Sequence, residues 1–163
     1  MEPRSTQERT EQLAALCRER GFPLTAQRRV VFEALLGHAD HPTAESIYEE
    51  VRHRLPEIHR ATVYRTLDRL VELGVAMRVH RLGLAARFDP NVERHDHAVC
   101  VRCGAMEDLE PGGPPGEDAP EVRALSRRGF AVLGQSVQVQ VLCPACRAAS
   151  GPPASPAPGR ARP

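Results

Sequence analysis

Apolar residues recur at helical spacing through the first half of this chain, and alternation typical of strands takes over in the second. Ser5-x-x-Glu8 is a capping-box pattern opening a helix through Leu13, Leu16 and Cys17, which Gly21 and Pro23 stop. Thr25 caps a second helix whose apolar positions Val30, Val31, Ala34 and Leu35 share one side. Thr43 caps a third, with Ile47, Tyr48 and Val51 inward, ending near Pro56. The fourth runs from about Arg60 to Leu73 with a stripe of Ala61, Tyr64, Leu67, Leu70 and Val71, and Gly74 ends it. Val75–Arg81 and Leu84–Phe88 read as two strands joined across Leu82-Gly83. Helices followed by a two-stranded wing describe a winged helix-turn-helix, a DNA-reading module.

From Asn91 the pattern changes. Ala98–Val101, Ala105–Leu109 and Phe130–Leu142 read as strands, with a short helix over Glu121–Arg127. Val137–Val141 alternates as a half-buried strand should. PGGPPGEDAP, residues 111–120, reads as a loop, and the Pro-rich stretch 151–163 cannot build a core and is expected to be a disordered tail. The chain is thus expected to be α+β, with a helical unit over residues 1–90, a small α/β unit over 91–150, and the tail.

Composition narrows the function. A length of 163 residues bounds one or two small domains, and 41% hydrophobic content supports their cores. No apolar run approaches the ~18–20 residues of a membrane span. The opening MEPRSTQERTEQ is charged and lacks an apolar export core, so a cytoplasmic location is expected. A net charge of +1 is not the footprint of an unconditional nucleic-acid binder, so DNA affinity has to come from a local basic surface. The outward side of the fourth helix offers one. Arg60, Thr62, Arg65, Thr66 and Arg69 lie off the apolar stripe, and Arg60, Thr62, Tyr64, Arg65 and Arg69 are the expected DNA contacts. Arginine can grip guanine with two hydrogen bonds, while threonine can hold phosphate. Arg78, His80, Arg81 and Arg87 would give the wing a basic edge. Solvated arginines on an exposed face are the ordinary alternative.

Two donor sets carry metal chemistry. Cys100-x2-Cys103 and Cys143-x2-Cys146 are two knuckles that together complete a four-thiolate tetrahedron of the structural zinc kind. Disulfides and thiol redox cycling are the competing readings. Cys17, beside Leu13 and Leu16, reads as a small buried hydrophobe. The second set is Asp89, His95, His97 and Asp108. Alternate strand residues share a face, so His95 and His97 point together while Asp96 and Cys100 point oppositely. The return past Gly104 can bring Asp108 alongside the histidines. Imidazole and carboxylate suit a harder, more exchangeable divalent ion than thiolates do, and a chance surface pair is the alternative.

The stretches GFPLTAQRRVVFEAL, HPTAESIYEEV, ATVYRTLDRLVELG, RFD, HDHAVCVRCG and CPAC resemble the ferric uptake regulator (Fur) superfamily over roughly residues 10–147. The resemblance implies a homodimeric transcription factor on inverted-repeat double-stranded DNA. Residues 1–90 would be its winged-helix domain with a hinge, and residues 91–150 a zinc-containing dimerisation domain. It also implies one ligand not chosen from the residues alone, His41, making the regulatory set His41, Asp89, His95, His97 and Asp108. Five such donors suit Fe(II) or Mn(II) better than four-coordinate zinc. Aspartate at 89 and 108 resembles the peroxide-sensing PerR-like branch, including the actinobacterial regulators of catalase genes. FAVLGQSVQ lacks a histidine where some relatives supply a third metal site, so no third site is expected.

The resulting expectation is a non-enzymatic repressor that senses peroxide through Fe(II)-mediated oxidation of its ligand histidines. Direct sensing of iron, zinc or nickel by an uptake regulator is the alternative. A metal-dependent hydrolase would also use Asp and His around an ion, but no separate general base or substrate pocket is evident. A zinc-storage or structural protein would account for the thiolates alone.

Overall fold

The structure, a computed structural model, describes residues 5–79, 85–110, 119–133 and 135–149. It is α+β, and the chain divides into two compact units, Met1–Glu93 and Arg94–Pro163. Among the described residues, no helix is long and apolar enough to cross a membrane.

The described residues of the first unit form four helices, three of them capped by a side chain. Helix α1, Thr6–Glu19, opens on a complete capping box, in which the Ser5 hydroxyl accepts from the Glu8 N–H and the Glu8 carboxylate accepts from the Ser5 N–H. Helices α2, Ala26–Leu36, and α3, Ala44–Arg54, are capped by the hydroxyls of Thr25 and Thr43. Each such cap satisfies an otherwise orphaned N–H and contributes about 1 kcal/mol. Helix α4, Arg60–Glu72, has His59 at its N-cap with no side-chain bond. Leu13, Cys17, Val31, Phe32, Leu35, Ile47, Val51, Val63 and Leu67 form one buried core. Cys17 is a packed thiol whose pKa burial raises, against the opposing pull of Arg28 and Arg69.

The buried side of α4 differs from the expected stripe. Val63, Thr66, Leu67 and Leu70 are buried, whereas Ala61 and Tyr64 are exposed. Thr66 is therefore not an outward residue. Its hydroxyl donates to the Thr62 carbonyl at 2.7 Å, which removes the cost of burying it. Strands β1, Met77–Val79, and β2, Arg87–Asp89, pair antiparallel with Arg78 opposite Phe88. They are shorter than expected, and the turn at Leu82-Gly83, with His80 and Arg81, lies outside the described residues. So does most of the 111–120 loop and all of the 151–163 tail.

The second unit is a three-stranded sheet in the order β4-β3-β5. Strand β3, Asp96–Cys100, lies antiparallel to β4, Met106–Leu109, and parallel to β5, Gln138–Val141. A parallel pair needs a crossover, and helix α5, Pro120–Arg127, lies within it. The expected long strand from Phe130 is only four residues here, because pairing with β3 begins at Gln138. Nor is β5 half-buried. Val139, on this edge strand, is 44% exposed, and Val137 just before it is 42% exposed. Helix α6, Pro144–Ala148, starts directly after Cys143.

Candidate metal centres

The sulfur cluster follows from two local turns. After β3 the chain reverses at Gly104, whose φ of 76° is open to glycine, and the Gly104 N–H donates to the Cys100 carbonyl. That turn carries Cys100 and Cys103. The second knuckle is the start of α6, where Pro144 occupies the first helical turn and Cys146 follows one turn of backbone later. Parallel pairing of Cys100 with Val141 then delivers the second knuckle to the first. The sulfurs of Cys100, Cys103, Cys143 and Cys146 all lie within 4.8 Å of one another. Cys103 and Cys143 are 3.7 Å apart, far beyond the ~2.05 Å of a disulfide and close to the edge of a tetrahedron with ~2.3 Å zinc–sulfur bonds. All five cysteines are free thiols, which removes the disulfide reading.

The electrostatics of this cluster are uneven. The Cys100 pKa falls to about 5, chiefly because the backbone N–H groups of Cys103 and Cys143 donate to its sulfur. Cys146 is pushed up to about 12, first by its hydrogen bond with Cys103 and then by burial and the neighbouring sulfurs. Four sulfurs this close cannot all ionise unless a cation joins them, so the donor set fits a thiophilic divalent ion.

The nitrogen and oxygen donors form two further sets. In the first unit, His41 Nε2 lies 3.4 Å from Asp89 Oδ2, with both side chains buried. Asp89 ends β2, and its other oxygen accepts the Asn91 N–H at 2.7 Å, a local turn that stops the strand. In the second unit, His95 directly precedes β3 and points to the same side as His97, with their Nε2 atoms 2.9 Å apart. Asp96 points the other way, and its Oδ1 accepts the Val137 N–H. The register of β3 on β4 sets Asp108 directly opposite His97. Its Oδ1 lies 3.6 Å from His95 Nε2 and 3.9 Å from His97 Nε2. Two buried imidazoles converging on a carboxylate suit a divalent ion of intermediate hardness.

The expected DNA contacts are distributed along α4. Tyr64 is exposed, and Arg65 makes a long 3.5 Å contact to Thr62 Oγ1. Arg60 is drawn to Glu45 and lies over the Tyr48 ring, while Arg69 pairs with Glu72 and lies 4.6 Å from the Phe22 ring centre. The basic edge expected of the wing is altered. Arg78 pairs with Asp68, and Arg87 donates to the carbonyls of His41 and Asp40. Two features carry little signal in the sequence. Phe22 is flanked by Arg28 and Arg69, and His38 bridges Asp40 and Glu50 with 2.8 Å contacts on both ring nitrogens. The second was legible only as charged residues around a helix-to-helix turn.

Residues 19–136 match the profile of the ferric uptake regulator family. The chain is 32% identical over 129 residues to the peroxide operon regulator of Bacillus subtilis (strain 168), covering 79% of this chain and 87% of that protein. In three dimensions it resembles the Helicobacter pylori ferric uptake regulator, with a TM-score of 0.71 and 19% identity over 90% of this chain and 97% of that one. It also resembles the Vibrio cholerae ferric uptake regulator, described for rearrangement of its DNA-binding domains. There the TM-score is 0.62 and the identity 25%, over 80% of this chain and 99% of that one.

Proposed function

Because the chain belongs to the ferric uptake regulator family, we propose that it is a homodimeric, metal-dependent repressor that binds an inverted repeat in double-stranded DNA and senses peroxide. The observation that carries this reading is the contrast between its donor sets. Four sulfurs gather in the second unit, and imidazoles with carboxylates gather separately. The thiolates Cys100, Cys103, Cys143 and Cys146 would hold Zn(II) permanently, since four sulfurs leave no open position for exchange.

His41, Asp89, His95, His97 and Asp108 would together serve one regulatory Fe(II) or Mn(II) ion. Three imidazoles and two carboxylates exceed what tetrahedral zinc takes and match the preference of these harder ions. Because His41 and Asp89 belong to one unit and the other three to the next, a shared ion would restrain the segment joining them. That restraint would set two winged helices of a dimer to the spacing of two half-sites. Arg60, Thr62, Tyr64, Arg65 and Arg69 would make the DNA contacts. The exposed apolar residues Val137, Val139 and Phe130 support a dimer interface.

The name of the Bacillus subtilis relative supports peroxide as the signal. Bound Fe(II) would supply reduction of hydrogen peroxide beside the imidazoles that hold it. One peroxide oxygen would replace the hydrogen on a ring carbon of His41 or His95 while the other leaves as water, the oxidised ring would bind a divalent ion poorly, and the restraint on DNA geometry would be lost.

The test combines operator binding with peptide mass spectrometry at one fixed salt concentration, after mild peroxide treatment of the Fe(II) and Mn(II) forms. The expected result is DNA binding by both forms, and loss of binding with a one-oxygen gain on His41 or His95 in the Fe(II) form alone. Equal operator affinity with and without metal would overturn the repressor reading. An unresponsive Fe(II) form would leave a direct sensor of iron, zinc or nickel. Oxidised Cys100 or Cys143 beside intact histidines would move the chemistry to the thiolates.

A further inference from the structure

We propose that Arg87 is a positioning residue for His41 and sets how tightly the regulatory ion is held, an inference that rests on reading His41 as a metal ligand. Among the described residues, His41 is the non-glycine residue with a positive φ, at 54°. A residue with a β-carbon occupies that region reluctantly and stays there only when its surroundings over-determine it.

The surroundings come mainly from β2. Arg87 Nη1 donates to the His41 carbonyl at 2.7 Å and to the Asp40 carbonyl at 3.3 Å. The Phe88 N–H donates to the Pro42 carbonyl at 2.9 Å, and Thr43 forms an isolated antiparallel bridge with Arg87. Three consecutive carbonyls, of residues 40, 41 and 42, are therefore gathered by two consecutive residues of one strand. The next residue on that strand is Asp89, whose Oδ2 lies 3.4 Å from His41 Nε2. From the opposite end of the loop, His38 lies between Asp40 and Glu50, which ties the approach to His41 onto α3.

The strand that carries one expected ligand thus holds the backbone of the other. A guanidinium suits this job because the two N–H bonds of its terminal nitrogen are fixed in one plane, one toward each carbonyl, whereas a lysine ammonium is a rotating head on a shorter stem. Without those two hydrogen bonds, residue 41 can leave its left-handed conformation. Ordering His41 then becomes a cost charged to metal binding rather than one met during folding.

The experiment measures Mn(II) affinity of the zinc-loaded full chain from the electron paramagnetic resonance signal of free Mn(II), in a cycle of Arg87→Gln and His41→Ala. Arg87→Gln should weaken Mn(II) about tenfold, the low end for residues that orient metal ligands. Arg87→Lys should recover part of that loss, because its shorter side chain still offers N–H donors toward the His41 carbonyl. In the His41→Ala background, Arg87→Gln should change affinity by less than about twofold, as coupled residues require. An equal loss in both backgrounds would overturn the proposal, since Arg87 would then act by another route. Unchanged Mn(II) affinity in His41→Ala alone would instead refute the ligand reading. If Arg87→Gln does not fold, Arg87→Met carries the same cycle, because it keeps the apolar stem and has no donor, and unaltered affinity in that variant would overturn the proposal.

Discussion

Two substitutions three residues apart on α4 should have opposite consequences. Leu67 is fully enclosed in the core of the first unit, at 0% exposure, whereas Tyr64, one turn earlier at the border of the buried stripe, is 42% exposed. Leu67→Ala removes three buried carbons and leaves a cavity that Val63, Leu70 and the facing helices can only partly refill. Losses for such sites run from about 2.7 to 5 kcal/mol, so about 3 kcal/mol is expected. A unit of this size holds roughly 5–14 kcal/mol in total. At about 4–8 °C per kcal/mol, the unfolding midpoint should drop by roughly 12–24 °C. Tyr64→Ala should stay within about 0.5 kcal/mol of the parent, because its ring is not part of the core. Both tyrosines of the chain, Tyr48 and Tyr64, lie in this unit and tryptophan is absent. Tyrosine fluorescence on heating therefore reports this unit separately from the other, and Tyr48 still reports in the Tyr64 variant. Under the proposed function, Tyr64→Ala should weaken operator binding without lowering the midpoint. Equal midpoints for the two variants, or a larger drop for Tyr64→Ala, would refute the assignment of the buried side of α4.

Cys103→Ser should lower zinc content and destabilise the second unit, because the remaining three sulfurs cannot complete a tetrahedron; elemental analysis and far-ultraviolet circular dichroism check this, and a zinc-loaded, equally stable variant contradicts it. His38 is pulled by burial toward the neutral form, but its bonds to Asp40 and Glu50 outweigh this and raise its pKa. The stabilisation is therefore complete below about pH 6.5 and is lost as pH rises through the folded value, so the midpoint of the first unit should decline from about pH 6 to pH 8 more steeply than in His38→Gln. Thr43 Oγ1 accepts the Ser46 N–H at 3.1 Å, so Thr43→Ala should cost about 1 kcal/mol in urea unfolding, whereas Thr43→Ser, which keeps the hydroxyl, should leave stability nearly unchanged; equal losses in the two would contradict the cap.

Much of the local structure was legible in the order of residues, because its causes are local. A capping hydroxyl reaches an N–H only three residues on, so Ser5, Thr25 and Thr43 mark their helix starts without any tertiary information. The two-residue period of a strand likewise puts His95 and His97 together and Asp96 apart before any partner strand is known. Paired cysteines at two-residue spacing indicate a knuckle for the same reason. What tertiary structure decided was which distant segments meet. The parallel register of β5 on β3 brings Cys143 to Cys100, and the antiparallel register of β4 places Asp108 opposite His97; a one-residue slip would have turned either side chain to the other face. On α4, two stripes at helical spacing were available, one through Tyr64 and one through Val63. Packing against α2 and α3 chose the second, helped by a Thr66 hydroxyl that finds its acceptor within the helix. Arg87 reads in sequence as one more surface cation of a wing. Only the folded chain turns it onto the carbonyls of Asp40 and His41, because those acceptors are exposed to it solely when residue 41 adopts a backbone conformation that no residue pattern announces.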